Sequence, residues 1–179
     1  MTRPDRKPRA RELGLPFDGR TGPENAITDV PGVLVGQVTL IEGEGPLRPG
    51  HGPIRTGVTA VLPRGHAQAM MPVWAGFHAL NGNGEMTGTH WIRHAGHFYG
   101  PICITNTHGV GAAHHAATRW MIDHHADDFR DDHLWALPVV AETYDGVLND
   151  INGMHVTKED TYNALDTAAG GPIAEGNVG

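Results

Sequence analysis

The chain has 179 residues, 39% of them apolar and 18% charged, with a formal net charge of −7. This is the composition of one globular domain rather than of a disordered segment. The acidic balance argues against a nucleic-acid partner, which calls for a clustered basic face, and no apolar run is long enough to span a bilayer.

The basic cluster from Arg3 to Arg11 is followed by no apolar stretch, so it reads as a solvated terminal arm and not as a secretion signal. Residues 1–25 form this arm, and residues 26–179 are read as a single α/β domain. Val33 to Ile41 is β-branched and apolar, which predicts a strand. Gly57 to Pro63 predicts a second strand, stopped by its proline. Pro72 to Leu80 is apolar without a decisive period. A helix is expected from Thr87 to Ala95, with Thr87 or Thr89 near its N-cap. Ile102 to Thr105 reads as a short buried strand. Val110 to His125 reads as a helix, with Ala112, Ala113, Ala116 and Ala117 as a face of small residues. Asp127 to Asp132 is expected to be an acidic loop, Leu134 to Thr143 a strand, and Asp145 to Gly153 a turn-rich loop. Thr157 caps a last helix that ends by Gly170, with Asp160 closing a capping box. Strands alternating with helices give the class α/β or layered α+β. The single cysteine, Cys103, excludes an internal disulfide and reads as a buried strand thiol, for which a cytoplasmic location is the simplest setting.

Two Gly/Asn-rich runs stand out. Asn81-Gly82-Asn83-Gly84-Glu85-Met86-Thr87-Gly88 permits sharp turns and close backbone approach. Gly170 to Gly179 is similar, and its place at the end of the sequence suggests a fragment, or one half of a two-piece protein, that does not fold alone as a stable monomer.

Several catalytic signatures are absent. The chain has no G-x-S-x-G elbow, no H-E-x-x-H, no P-loop and no serine at all. His90, His94 and His97 fall at i, i+4 and i+7, a spacing that would place a metal site on one helical face. Gly96 interrupts that span and no acid accompanies it, so a solvated or hydrogen-bonded histidine face is the stronger reading. The segment from Pro138 to Gly153 carries more chemistry. A buried strand runs into a loop holding Glu142, Tyr144, Asp145, Asn149, Asp150 and Asn152, and strand ends are where α/β folds place their sites. Asx-turns explain the Asp and Asn side chains equally well. Tyr144 is the pointed candidate, because a phenol can donate a hydrogen bond to a developing oxyanion.

These stretches, taken in order, resemble the self-processing L-aminopeptidase/D-esterase (β-peptidyl aminopeptidase) family, peptidase family S58. The resemblance is carried by Asn25 to Val33, Arg55 to Ala60, Leu80 to Met86, Ile104 to His108, Val139 to Gly146, Leu148 to Gly153 and Gly171 to Gly179. It implies a four-layer α-β-β-α sandwich that is incomplete without a C-terminal portion. It also implies a precursor that cuts itself into α and β chains. The nucleophile would be the Ser or Thr that begins the β chain, with its own α-amino group as base and no metal or other cofactor. The activity implied is hydrolysis of N-terminal residues from small peptides, amides and esters, in a homo-oligomer. Tyr144 lies in the segment matching the family's oxyanion tyrosine, with the position of Val147 as the competing register. Asn177 is expected to serve a backbone turn. Asn81, Asn83 and Glu85 are expected to line the substrate cleft near the free amine, with Glu142 also contacting substrate. A His-rich metal-dependent hydrolase and a non-catalytic binding module are the competing readings.

Overall fold

A computed structural model describes residues 8–176 and 178–179. Its strands are β1 (Leu34–Glu42), β2 (Ile54–Leu62), β3 (Val73–Trp74), β4 (His97–Phe98), β5 (Ile102–Asn106) and β6 (Val139–Thr143). Its helices are α1 (Thr89–Ala95), α2 (Val110–His124), α3 (Ala126–Asp131) and α4 (Lys158–Asp166). Four strands make the main sheet in the order β1-β2-β5-β6. β1 pairs antiparallel with β2, placing Val38 opposite Val58, and β2 pairs antiparallel with β5, placing Ala60 opposite Cys103. β5 and β6 are parallel, with Ile102 opposite Val139. A parallel pair needs a long crossover, and α2 with α3 supplies it.

Side chains alternate across the sheet. Val58, Ala60 and Leu62 of β2, Cys103 of β5 and Val140 of β6 are buried beneath α2 and α4. The small residues of α2 meet the sheet there: Ala113 and Ala117 are fully buried. Trp120 joins the two helices. It is fully buried, its indole Nε1 donates to Asp166 Oδ1 at 2.7 Å, and its ring stacks on His124 at 4.6 Å. On the opposite face, Ile102 and Val139 are covered by α1 and the β3–β4 ribbon through Ile92 and Phe98. The rest of that face carries Gln37 and Thr39 of β1 and Thr59 of β2. The backbone N–H of Gly179 donates to Thr39 Oγ1 at 3.1 Å, so the segment at Gly179 lies against it.

The expected elements are found with adjusted bounds. Strand β6 is shorter than the span from Leu134 to Thr143, because residues 134–138 have no regular structure and Pro138 precedes the ladder. The acidic stretch expected to be a loop is helix α3: Asp127 and Asp128 occupy its first turn, where carboxylates complement the helix dipole, and Arg130 pairs with Asp127 at 2.8 Å. Thr87 and Thr89 flank the N-cap of α1, as expected, but neither side chain caps it. The N-cap is Gly88 in the left-handed region, while Thr87 bonds the Pro138 carbonyl at 2.7 Å and accepts from Val140 N at 2.8 Å. The capping box of Thr157 and Asp160 is present, and α4 ends at Asp166, short of Gly170. Asn177, the expected turn residue, lies outside the described residues. Among the described residues no helix is long and apolar enough to cross a membrane.

Candidate active site

Because β5 and β6 run the same way, their C-terminal ends open on one side of the sheet, beside the N-terminal end of β2. There lies a cleft of about 1100 Å³. Arg55 and Thr56 of β2, Asn106 of β5, and Thr143, Tyr144 and Asp145 at the end of β6 line it, with Ile41, Leu47, Val147 and Leu148 as apolar walls.

Tyr144 is 70% exposed, and its hydroxyl makes no hydrogen bond among the described residues, so the phenol is available to a ligand. Its ring folds over Gly146: a Cβ built there would come within 2.7 Å of the hydroxyl oxygen. Val147, the competing position, is 74% exposed in the same cleft, and valine has no polar donor to offer.

The loop after Tyr144 is anchored by buried polar side chains. Asn149 is 1% exposed; its Oδ1 accepts from Arg55 N at 2.9 Å, and its Nδ2 donates to Asp145 Oδ1 at 3.0 Å. Asp150 accepts from Gly52 N at 3.1 Å and from Gly153 N at 3.2 Å, and it pairs with His155 Nε2 at 3.0 Å. The His155 bond, followed by the backbone donors, holds the Asp150 carboxyl below the usual carboxylate range. Asn106, also buried, donates to Thr56 Oγ1 at 2.8 Å and accepts from Gly109 N at 2.8 Å, which caps the turn into α2. Asp145 to Asn152 therefore combines Asx-type local bonds with ties to β2.

The other expected site residues gather one step away. Glu142 shares the face of Val140, and its carboxylate accepts from Thr107 Oγ1. The Asn81–Glu85 loop is exposed and runs up to it: Glu142 N donates to the Glu85 carbonyl at 3.1 Å, and a Cβ on Gly84 would meet Glu142 Oε1 at 2.7 Å. Within the loop, Asn81 Oδ1 accepts from Asn83 N at 2.8 Å, an Asx-turn. Glu142, Asn81, Asn83 and Glu85 thus form a group beside β6. None of the four lines the cleft that Tyr144 lines. Asn149, one of the polar residues expected in the loop after β6, anchors that loop to β2, whereas Arg55 stands out in sequence only as part of a stretch that carries the family resemblance.

The histidine reading is corrected by the chain path. α1 stops at Ala95, Gly96 takes φ 73°, and His97 begins β4, so His90, His94 and His97 do not share one helical face. His97 instead meets Trp91 edge-on at 5.6 Å. Among the described residues no group of three or more His, Cys, Asp or Glu side chains is placed to hold a metal.

The chain is thus a layered α/β unit: a mixed sheet with α2 and α4 on one face, α1 and the β3–β4 ribbon over part of the other, and a cleft at the ends of its parallel strands. The chain belongs to peptidase family S58, whose model matches residues 25–179. It is 57% identical over 172 residues to the β-peptidyl aminopeptidase BapA of Sphingosinicella microcystinivorans, covering 96% of this chain and 42% of that protein. It is 48% identical over 172 residues to BapA of Sphingosinicella xenopeptidilytica, with the same coverage. Among solved structures it matches the L-aminopeptidase D-Ala-esterase/amidase of Ochrobactrum anthropi at a TM-score of 0.89 and 60% identity, over 97% of this chain and 48% of that one. That protein is described as a prototype for the serine aminopeptidases and a new variant among the Ntn hydrolase fold. A Burkholderia β-aminopeptidase matches at 0.85 and 48% identity, over 96% of this chain and 46% of that one. The chain thus has the mixed α/β architecture of that Ntn hydrolase variant and spans somewhat under half the length of the relatives it matches.

Proposed function

We propose that this chain is the α-chain part of a self-processing, serine-type aminopeptidase that releases N-terminal residues from small peptides, amides and esters. The observation that carries this reading is the exposed Tyr144 hydroxyl, without a hydrogen-bond partner among the described residues, in the cleft at the β5 and β6 ends. It stands in a chain 57% identical to a β-peptidyl aminopeptidase. The chain contains no serine, so a serine nucleophile comes from the β-chain portion of the same precursor, beyond Gly179. The polar sheet face around Thr39 and Thr59 is where a second sheet would complete a four-layer sandwich. In the assembled site, the nucleophile's α-amino group takes its proton and attack on the scissile carbonyl builds an oxyanion. Tyr144 donates to that oxyanion.

Glu142 and Glu85 supply carboxylates for the substrate's free ammonium, with Asn81 and Asn83 shaping the loop around it. The antiparallel contact of this loop with β6 supports the arrangement. No metal or other cofactor takes part in this reading. Exposed apolar side chains such as Trp74 and Leu80 support a homo-oligomer, and the single buried thiol suits the cytoplasm.

The test is expression of the full coding sequence. Two chains on a denaturing gel, and release of ammonia from L-alaninamide that survives a chelator, are expected. An uncleaved precursor with no amidase activity would refute the reading, and chelator-sensitive activity would favour a metal-dependent hydrolase.

A further inference from the structure

Arg55 is a cation on the wall of the cleft with no anionic partner among the described residues. Its Nη1 donates to the Glu42 carbonyl at 2.9 Å and to the Ile54 carbonyl at 2.5 Å, and its Nη2 donates to the Gly43 carbonyl at 2.8 Å. These three bonds fix the guanidinium plane to the ends of β1 and β2. Its own backbone N–H is fixed by buried Asn149. A guanidinium has five N–H donors in a rigid fork, so Nε–H and one Nη2–H are unspent. Among the described residues it forms no ion pair. Two carboxylates line the same cleft without joining it: Glu44, and Asp145, which is held by Asn149.

A side chain locked by neutral carbonyls keeps its full charge and loses little entropy when it binds an anion. A carboxylate, which accepts two parallel N–H bonds from such a fork, is the anion it fits.

We propose that Arg55 is a specificity-determining residue that receives the C-terminal carboxylate of a short peptide substrate. The inference rests on the aminopeptidase reading and on Tyr144 marking the reacting carbonyl. Arg55 on β2 and Tyr144 after β6 are separated by two strand spacings, about 10 Å. Consecutive Cα atoms are about 3.8 Å apart, and the guanidinium is folded back onto the Glu42, Gly43 and Ile54 carbonyls on the β1 side, so a peptide of about three residues is needed to bridge the gap. The preferred substrates are therefore tripeptides with a free carboxylate, ahead of the corresponding amides.

The experiment compares L-alanyl-L-alanyl-L-alanine with its C-terminal amide in the full-length, processed enzyme. The wild type should show a KM for the free acid lower than that for the amide by on the order of tenfold, the scale of a hydrogen bond to a charged group. In Arg55→Met the ratio of the two KM values should collapse to about one. Arg55→Lys keeps a point charge and loses the fork, so its ratio should fall between. Equal KM values in the wild type would overturn the carboxylate subsite and leave the aminopeptidase reading intact. A preference that persists undiminished in both variants would overturn the role of Arg55. Hydrolysis of neither substrate by the wild type would overturn the aminopeptidase reading, and this inference with it.

Discussion

Gly36 of β1 lies so close beneath α4 that a Cβ on it would sit 1.8 Å from the Ala164 carbonyl oxygen. The neighbouring atoms are backbone, which cannot swing aside. Helix α4 is therefore seated on the sheet through a missing side chain, and its position sets the depth of the Ala164–Leu165 packing.

Gly36→Ala should consequently destabilise the protein. Overpacking a well-filled core costs roughly 1–3 kcal/mol, and the obstruction here is backbone, so the upper part of that range is expected. The urea midpoint of the assembled enzyme should fall while the slope stays constant. An unchanged midpoint would mean that α4 shifts freely on β1.

Asn149→Ala tests the anchor of the Tyr144 loop. The substitution leaves the Arg55 N–H without its acceptor, and an unsatisfied buried group costs about 1–3 kcal/mol. The loop also loses its tie to β2, so kcat should fall together with stability. Normal kcat in the Asn149 variant would show that the loop is held without this tie.

Tyr144→Phe removes the free hydroxyl and keeps the ring over Gly146. Losing one oxyanion donor typically costs about 10²–10³ in kcat with little change in ground-state binding. Steady-state kinetics on a small amide, with self-cleavage scored on a gel, distinguish the effects on turnover and on processing. A kcat within about threefold of wild type, far short of that loss, would make Tyr144 a wall residue.

Asp150 gives a pH dependence with a definite sign. Its folded carboxyl is held low, chiefly by the His155 bond, so the unfolded chain takes up a proton first as the pH drops. The stabilisation is fully present above the ordinary aspartate value of about 3.9. It is lost as the pH falls from there through the lowered folded value. Asp150→Asn should be less stable than wild type at pH 6, and the gap should narrow by pH 3. Denaturation midpoints of both proteins at the two pH values measure this; a gap independent of pH would remove the ionised carboxylate from the account.

Much of this fold is readable in sequence where local pattern and packing agree. Val33 to Ile41 and the alanine face of Val110 to His125 gave elements close to their real bounds. The misses have physical causes. Asp127 to Asp132 looked like a loop because aspartate is a poor helix former, yet its charges fall in a first turn, where they are favourable. Thr87 stands beside the N-cap as expected, yet its hydroxyl bonds the start of β6, a partner about fifty residues away in sequence that no local pattern shows. The cleft follows from the parallel register of β5 and β6, a long-range property that no window of sequence carries. The place of Tyr144 at the mouth of β6 is legible because it follows a buried strand. The locked guanidinium of Arg55 is not, because all three of its partners are backbone carbonyls, which leave no residue signature.

The same parallel pairing gives the molecule two poles. The cleft lies at one end of β6, and α3 with residues 132–138 lies at the other, about 17 Å away along a five-residue strand. The chain's only thiol, Cys103, is fully buried between β2 and α2, and burial pushes it up to about 12. In the folded state it is therefore silent to alkylating probes. A cysteine introduced at exposed Asp132 would be this chain's single reactive handle. A dye or surface tether attached there would hold the chain by the pole farthest from the cleft, with the cleft facing solution.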